Sequence, residues 1–158
     1  MLLRQLAELD LPTRPTAKLD KQLDGWLADL RSDATQAWLD TLLRGYASSS
    51  LGHEWATTGP RPGAGAFVGE TSGALLLGLV HLARRWDAAA FAPAFAVVVD
   101  AGFTLVPGVR MRSQKIATAA VEALTASEAG RELLAGLQQH HTRPAMKKIF
   151  AAAGSRSA

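Results

Sequence analysis

The sequence contains no cysteine among its 158 residues, and this absence excludes several kinds of site. Without thiols the chain forms no disulfide, no thiolate zinc site, no iron–sulfur cluster and no cysteine nucleophile. Aromatic residues are also few, at 6% of the chain, with a single tyrosine. Hydrophobic residues make up 48% and charged residues 20%, a balance typical of one folded globular domain.

The sequence has little that resembles a secretory or membrane-spanning segment. Its first residues, MLLRQLAELD, contain no sustained apolar stretch and no small-residue cleavage site. The most apolar window, Ala88–Val109, is long enough to cross a bilayer, but Pro93 and Asp100 interrupt it, so we interpret it as buried helix. We therefore expect no membrane contact and a cytoplasmic protein. The 12 arginines against 5 lysines favour a GC-rich bacterial genome.

Apolar residues recur at helical spacing in the first part of the chain. Two such stripes are Leu19, Leu23, Trp26, Leu27 and Leu30, and then Trp38, Leu39, Leu42, Leu43 and Tyr46. Thr13-Arg14-Pro15 is a pattern typical of a helix start, and Ser32 and Asp33 can cap the second helix. Residues 1–47 are therefore predicted to form an N-terminal helical hairpin.

Residues 48–69 break the helical pattern with clustered serine, glycine and proline, and predict one long loop. Trp55 within it is the tryptophan that we expect to be an exposed anchor for a protein partner. His53-Glu54 begins like a zinc-protease HExxH motif, but Thr57 occupies the position of the second histidine, so we predict no metal site. Residues 63–69 are glycine-rich, but no strand precedes them and no Lys-Ser/Thr follows, which favours a hinge over a phosphate-binding loop.

Residues 70–154 are predicted to be helical again, followed by a disordered tail over 155–158. The first helix of this part, Glu70–Trp86, is so apolar that it should be covered on most sides. The later boundaries are predicted from Asp87, Ser113, Thr125 with Glu128, and Thr142-Arg143-Pro144 as helix starts, and from Gly154 as a helix stop. One alternative stays open, because Phe95–Asp100 could instead be a buried strand.

Three stretches resemble a known family: GALLLGLVHL (Gly73–Leu82), VPGVRMRSQKIATAAVEAL (Val106–Leu124) and RPAMKKIFAAA (Arg143–Ala153). They are similar to the HEAT-like helical repeat region of large bacterial proteins described as molybdate-metabolism-regulator-like, which often carry a WGR domain. The resemblance covers roughly residues 38–153. It implies an all-α fold of antiparallel helix pairs stacked as a short HEAT-like α-solenoid. An irregular helical bundle is the alternative. The family has no established catalytic residues, so the resemblance implies no active site.

The positive charge of the chain is concentrated near its C-terminus. Residues 1–60 carry 6 basic and 8 acidic residues, whereas residues 101–158 carry 8 basic and 3 acidic ones. If two predicted helix starts share one edge, six cations there could follow a phosphate backbone: Arg110, Arg112, Lys115, Arg143, Lys147 and Lys148. The alternative is a solvated basic face, and the lack of aromatic residues among these cations disfavours readers of single strands.

These features lead to three hypotheses about function. The first is a non-enzymatic helical-repeat module that binds a protein partner and needs no cofactor, because no catalytic cluster is recognisable. The second is nucleic-acid binding through the basic C-terminal third. The third, ranked last, is an enzyme with residues 48–69 over a site at Asp100, an acid in an apolar segment that is otherwise expected to pair with Arg84 or Arg110. His81 is expected to be a hydrogen-bonded histidine of the core or its rim.

Overall fold

The computed structural model describes residue 6 and residues 11–48, 70–106, 110–111 and 113–157. This part of the chain forms seven helices: α1 (Ala17–Leu30), α2 (Asp33–Ser48), α3 (Glu70–Asp87), α4 (Ala92–Phe103), α5 (Gln114–Leu124), α6 (Glu128–His140) and α7 (Pro144–Ser157). Between α4 and α5, two strands of two residues each, β1 (Leu105–Val106) and β2 (Arg110–Met111), pair antiparallel. The predicted all-α fold class is confirmed.

The helices pack in two layers, with every second helix in the same layer. In the first layer α3 contacts α1 and α5, and α5 contacts α7. In the second layer α4 contacts α2 on one side and α6 on the other. The two layers meet most extensively between α4 and α5. This order of contacts is consistent with packed helix pairs of either an irregular helical bundle or an α-solenoid.

The two N-terminal helices are present, but they contact the later helices more than each other. α1 packs on α3, and α2 packs on α3 and α4. Their caps come from single hydroxyls, since the Thr16 side chain accepts a hydrogen bond from Leu19 N (3.2 Å) and Ser32 Oγ accepts one from Thr35 N (3.2 Å). The predicted cap at Ser32 is thus confirmed, whereas the start predicted at Thr13-Arg14-Pro15 is placed too early.

The seam between α4 and α5 is built from small residues. A Cβ atom added to Gly102 would lie 2.8 Å from Ala117 Cβ and 3.0 Å from the carbonyl oxygen of Ser113. Gly102 therefore allows the two helices to approach more closely than any side chain would permit. Phe95–Asp100 lies inside α4, so the strand alternative is wrong: the segment is helical, and Phe95, Val98 and Val99 are buried against neighbouring helices.

The predicted helix boundaries after α4 are partly confirmed. Ser113 caps α5 as predicted, with its Oγ accepting from Ile116 N at 3.4 Å. The cap of α6 is Ser127 and not Thr125, because Ser127 Oγ accepts from Gly130 N at 3.1 Å. Thr125 instead ends α5, where its hydroxyl bonds within the last turn.

Two further boundaries differ from the prediction. Asp87 is the last residue of α3, and its carboxylate accepts two backbone hydrogen bonds in the turn that follows, while α4 begins only at Ala92. α7 begins at Pro144 as predicted but continues through Gly154 to Ser157, because a single glycine weakens a helix without necessarily ending it. The expected disordered tail is therefore helical from 155 to 157. None of the helices described combines the length and apolar character that a membrane span requires.

Candidate functional site

The candidate site is the edge of the molecule at which α4 ends. Ser113 N, just before α5, donates to the carbonyl oxygen of Gly102 in α4 at 3.0 Å. The Phe103 ring meets His141, before α7, and Phe150, within α7, at centroid separations of 5.1 and 5.6 Å. These contacts bring the starts of α5 and α7 to the same edge.

We call this surface the basic edge and define it by four exposed cations: Lys115, Arg143, Lys147 and Lys148. The positive ends of two helix dipoles add to their charge. Of the other two predicted cations, Arg110 belongs to β2, a strand whose side chains are not described, and Arg112 lies outside the described residues. The structure thus gathers the two helix starts, as the nucleic-acid hypothesis required.

The acidic residues of the same region lie at the opposite end of α5. Glu122, Glu128 and Glu132 occur where α5 ends and α6 begins. This end is about 16 Å from the basic edge, at about 1.5 Å per helical residue. Glu122 also forms an ion pair with Arg14 at 3.5 Å. These three acids are therefore separated from the basic edge along the axis of α5, whereas the carboxylate of Asp100 lies at that edge.

Asp100 lies at the basic edge, but not as the sequence predicted. Its side chain is 60% exposed, although the segment around it is apolar. Among the described side chains its partner is His141, whose Nε2 lies 2.6 Å from Asp100 Oδ1, whereas Arg84 pairs with Asp20 and the side chain of Arg110 is not described. The His141 ring also packs on Phe103 and Phe150, which explains its low exposure. The pair fixes the turn between α6 and α7 to the end of α4.

Other predicted sites fall in parts of the chain that the structure does not describe. Trp55, His53-Glu54 and the glycine-rich residues 63–69 lie outside the described residues. Within the described ranges, no three His, Asp or Glu side chains are grouped closely enough to hold a metal ion.

A second polar site is buried in the first layer. The side chain of His81 on α3 is 1% exposed, and its Nε2 lies 2.8 Å from the carbonyl oxygen of Pro12. Burial lowers the pKa of His81, the nearby Arg84 acts in the same direction, and the carbonyl of Pro12 opposes both. The neutral ring therefore donates from Nε2, and the prediction of a hydrogen-bonded core histidine is confirmed.

Two ion pairs join α1 to α3 beside His81. Arg84 pairs with Asp20, and Arg85 forms two parallel bonds of 2.7 Å to the carboxylate of Asp24. The Arg85 hydrogen bond holds the pKa of Asp24 below its usual value. Sequence reasoning missed these pairs, since more than 60 positions separate the partners. The only local signal was the four-residue spacing of the two acids on α1.

Comparisons of the chain with protein-family models, with curated proteins and with solved structures find no match. The resemblance to HEAT-like repeat regions therefore stays a prediction, and the functional interpretation depends on the residues of the chain itself.

Proposed function

We propose that the protein is a non-enzymatic helical-repeat module that binds a protein partner on the outer face of its second layer. The observation that supports this most is a narrow strip of α4. This helix is covered by α5 behind and by α2 and α6 at its sides. The positions left wholly or partly exposed along α4 and its cap are Pro93, Ala96, Val97, Asp100 and Thr104, which we call the α4 strip.

The α4 strip suits an amphipathic helix as its partner. The whole strip extends for about 16 Å, or about three helical turns, and Pro93, Ala96 and Val97 offer apolar contact over about the first 6 Å of it. Half-exposed apolar side chains also occur on both flanking helices, namely Trp38 on α2 and Leu133 on α6, each 38% exposed. A helix lying in such a groove contributes apolar residues three and four positions apart.

The acidic end of the strip specifies the orientation of that partner. Asp100 uses Oδ1 to bind His141, and its side chain is still 60% exposed. A lysine or arginine near one end of the partner helix would meet this carboxylate while the apolar residues cover Ala96 and Val97. The partner proposed is therefore an amphipathic helix with a basic residue at one end.

Site-specific photocrosslinking in the native host tests the proposal. A photoreactive amino acid replaces Val97 or Leu133, and in a control it replaces Gln22, an exposed residue of α1. We expect the same protein to be captured from Val97 and Leu133 and not from Gln22. Adding Asp100→Lys to the Val97 variant should abolish that adduct by reversing the charge at the end of the strip. The same adducts at all three positions, or none, would refute the proposal.

Nucleic-acid binding is a second candidate, and the basic edge favours it. Lys115, Arg143 and Lys147 lie at two helix starts on one edge, and the three acids of residues 101–158 are at the far end of α5, whereas Asp100 shares the basic edge. The affinity that such cations give for phosphate falls steeply with salt. For duplex DNA, the logarithm of the binding constant falls against the logarithm of the salt concentration with a slope of roughly −0.9 per phosphate contacted.

Fluorescence anisotropy of short duplex DNA at low salt separates the two candidates. The double variant Lys115→Glu/Lys147→Glu should lose affinity. Lys18→Glu/Lys21→Glu, which changes the net charge equally on exposed positions of α1, should change it much less. Equal losses in both double variants would mean that binding reflects net charge alone, and absent binding at low salt would exclude this candidate.

A further inference from the structure

The segment before α1 is held on α3 at two adjacent points. Leu6 and Leu11 are buried against α3 at Gly78, where an added Cβ would lie 2.9 Å from Leu6 Cδ2 and 3.1 Å from Leu11 Cδ1. One helical turn further along α3, His81 Nε2 bonds to the carbonyl oxygen of Pro12 at 2.8 Å. We call this set of contacts the clasp.

We propose that the clasp is an acid-sensitive latch, in which protonation of His81 releases Leu6, Leu11 and Pro12 from α3 while the stacked helices stay folded. The latch is a regulatory device that neither candidate function requires.

Protonation is unfavourable in the closed clasp because of the surroundings of the ring. His81 Nδ1 is buried and has no hydrogen-bond partner among the described residues. In the neutral ring this atom is an acceptor, but in the imidazolium it becomes a charged donor with no acceptor beside it. The charged ring would become hydrated only after the clasp opens, when water replaces the Pro12 carbonyl beside it.

The charged groups around His81 act against protonation on balance. Arg84 on α3 and Lys115 on α5 disfavour the imidazolium, whereas Asp20 on α1 favours it. Asp20 is already paired with Arg84, so its charge is largely compensated. On the clasp segment itself, Arg14 is bound to Glu122 at the far end of α5.

The direction of the pH effect follows from this arrangement. The pKa of His81 is lowered from its ordinary value of 6.5 in the closed state, chiefly by burial. Opening that hydrates the ring removes the effect of burial, so the pKa of His81 rises back toward its ordinary value of 6.5. Above that pH both states are neutral and the clasp keeps its full stability. Below it the open state binds a proton that the closed state does not. The equilibrium constant for opening the clasp therefore rises by up to about tenfold per pH unit, until the pH reaches the pKa of His81 in the closed state.

Hydrogen exchange followed by mass spectrometry measures the opening of the clasp directly. Peptides spanning residues 11–16 are compared with peptides from α5 at about pH 7.5 and about pH 5.5, after correction for intrinsic exchange rates. We expect the protection of the N-terminal peptides to fall by up to about tenfold at the lower pH, with that of α5 unchanged. Equal protection at both pH values would overturn the proposal.

Two variants assign the effect to one ring. His81→Gln retains an N–H donor for the Pro12 carbonyl but does not titrate, so its protection should not depend on pH. His140→Gln removes an exposed histidine of α6 and should respond to pH as the unmodified chain does. A response that persists in His81→Gln would overturn the proposal. If that variant does not fold, nuclear magnetic resonance of the unmodified protein decides, because a closed-state His81 that titrates at 6.5 or above contradicts the latch.

Discussion

Replacing Gly102 by alanine should destabilise the protein, although alanine is the better helix former. The added Cβ would lie 2.8 Å from Ala117 Cβ and 3.0 Å from the Ser113 carbonyl oxygen, and neither atom belongs to a flexible side chain. Overpacking of this kind costs about 1–3 kcal/mol and is offset by up to about 1 kcal/mol of helix propensity. We expect a net loss of about 1–2 kcal/mol in the free energy of unfolding.

The matched control is Gly25→Ala in α1. Nothing lies within 4 Å of the Cβ that this substitution adds, so the gain in helix propensity is not opposed. It should stabilise the protein by about 0.5–1 kcal/mol. If the two Gly→Ala substitutions change the free energy of unfolding in opposite directions, packing must be the cause of the difference. Helix propensity alone predicts a change in the same direction for both.

Urea denaturation followed by circular dichroism measures both changes. A loss of 1 kcal/mol corresponds to a decrease in Tm of about 2–4 °C in a chain of this size. Combining Gly102→Ala with Ala117→Gly should give a double variant more stable than the sum of the single losses predicts, because the closest contact is removed. The reasoning fails if Gly102→Ala is as stable as Gly25→Ala, or if the two substitutions at the seam are additive.

Three further predictions concern other contacts. Ser127→Ala removes the cap of α6 and should cost about 1 kcal/mol in a urea titration. Gly130→Ala places a Cβ directly against the carbonyl oxygen of Leu124, closer than any contact that Gly102→Ala makes, so it should lower the Tm more than Gly102→Ala does. Arg85→Gln should raise the pKa of Asp24 toward 3.8 in a carboxylate titration by nuclear magnetic resonance. The Asp24–Arg85 contribution is present above 3.8 and is lost as the pH falls through the lowered pKa.

The helices could be predicted from periodicity, because burial on one face repeats every three or four residues. Leu19, Leu23 and Leu27 are all buried as the stripe predicted. Phe95–Asp100 was ambiguous, since its three consecutive valines suit a strand as well as a helix covered on most sides. The choice between strand and helix depends on the neighbouring helices, and the sequence of the segment does not show which elements pack against it.

Helix ends and site contacts were predicted less well, for a physical reason. Thr125 and Ser127 are both good capping residues two positions apart, and local sequence does not show which hydroxyl reaches a free N–H group. The pairing of Asp100 with His141 depends on how α4 and α6 stack, across 41 positions of sequence. The sequence predicted that Lys115 and Arg143 would lie on one surface only if the starts of α5 and α7 shared an edge, and the sequence alone does not show whether they do.

The small-residue seam between α4 and α5 also has a consequence for the order of assembly. These two helices share the most extensive interface described and are joined by residues 104–113, which include β1 and β2. Because this interface lies between neighbours in sequence, its contacts are more local than those between α1 and α3, and we expect this hairpin to form early in folding. The flanking helices then add outward on either side, and substitutions at Gly102 should slow folding as well as weaken the final structure.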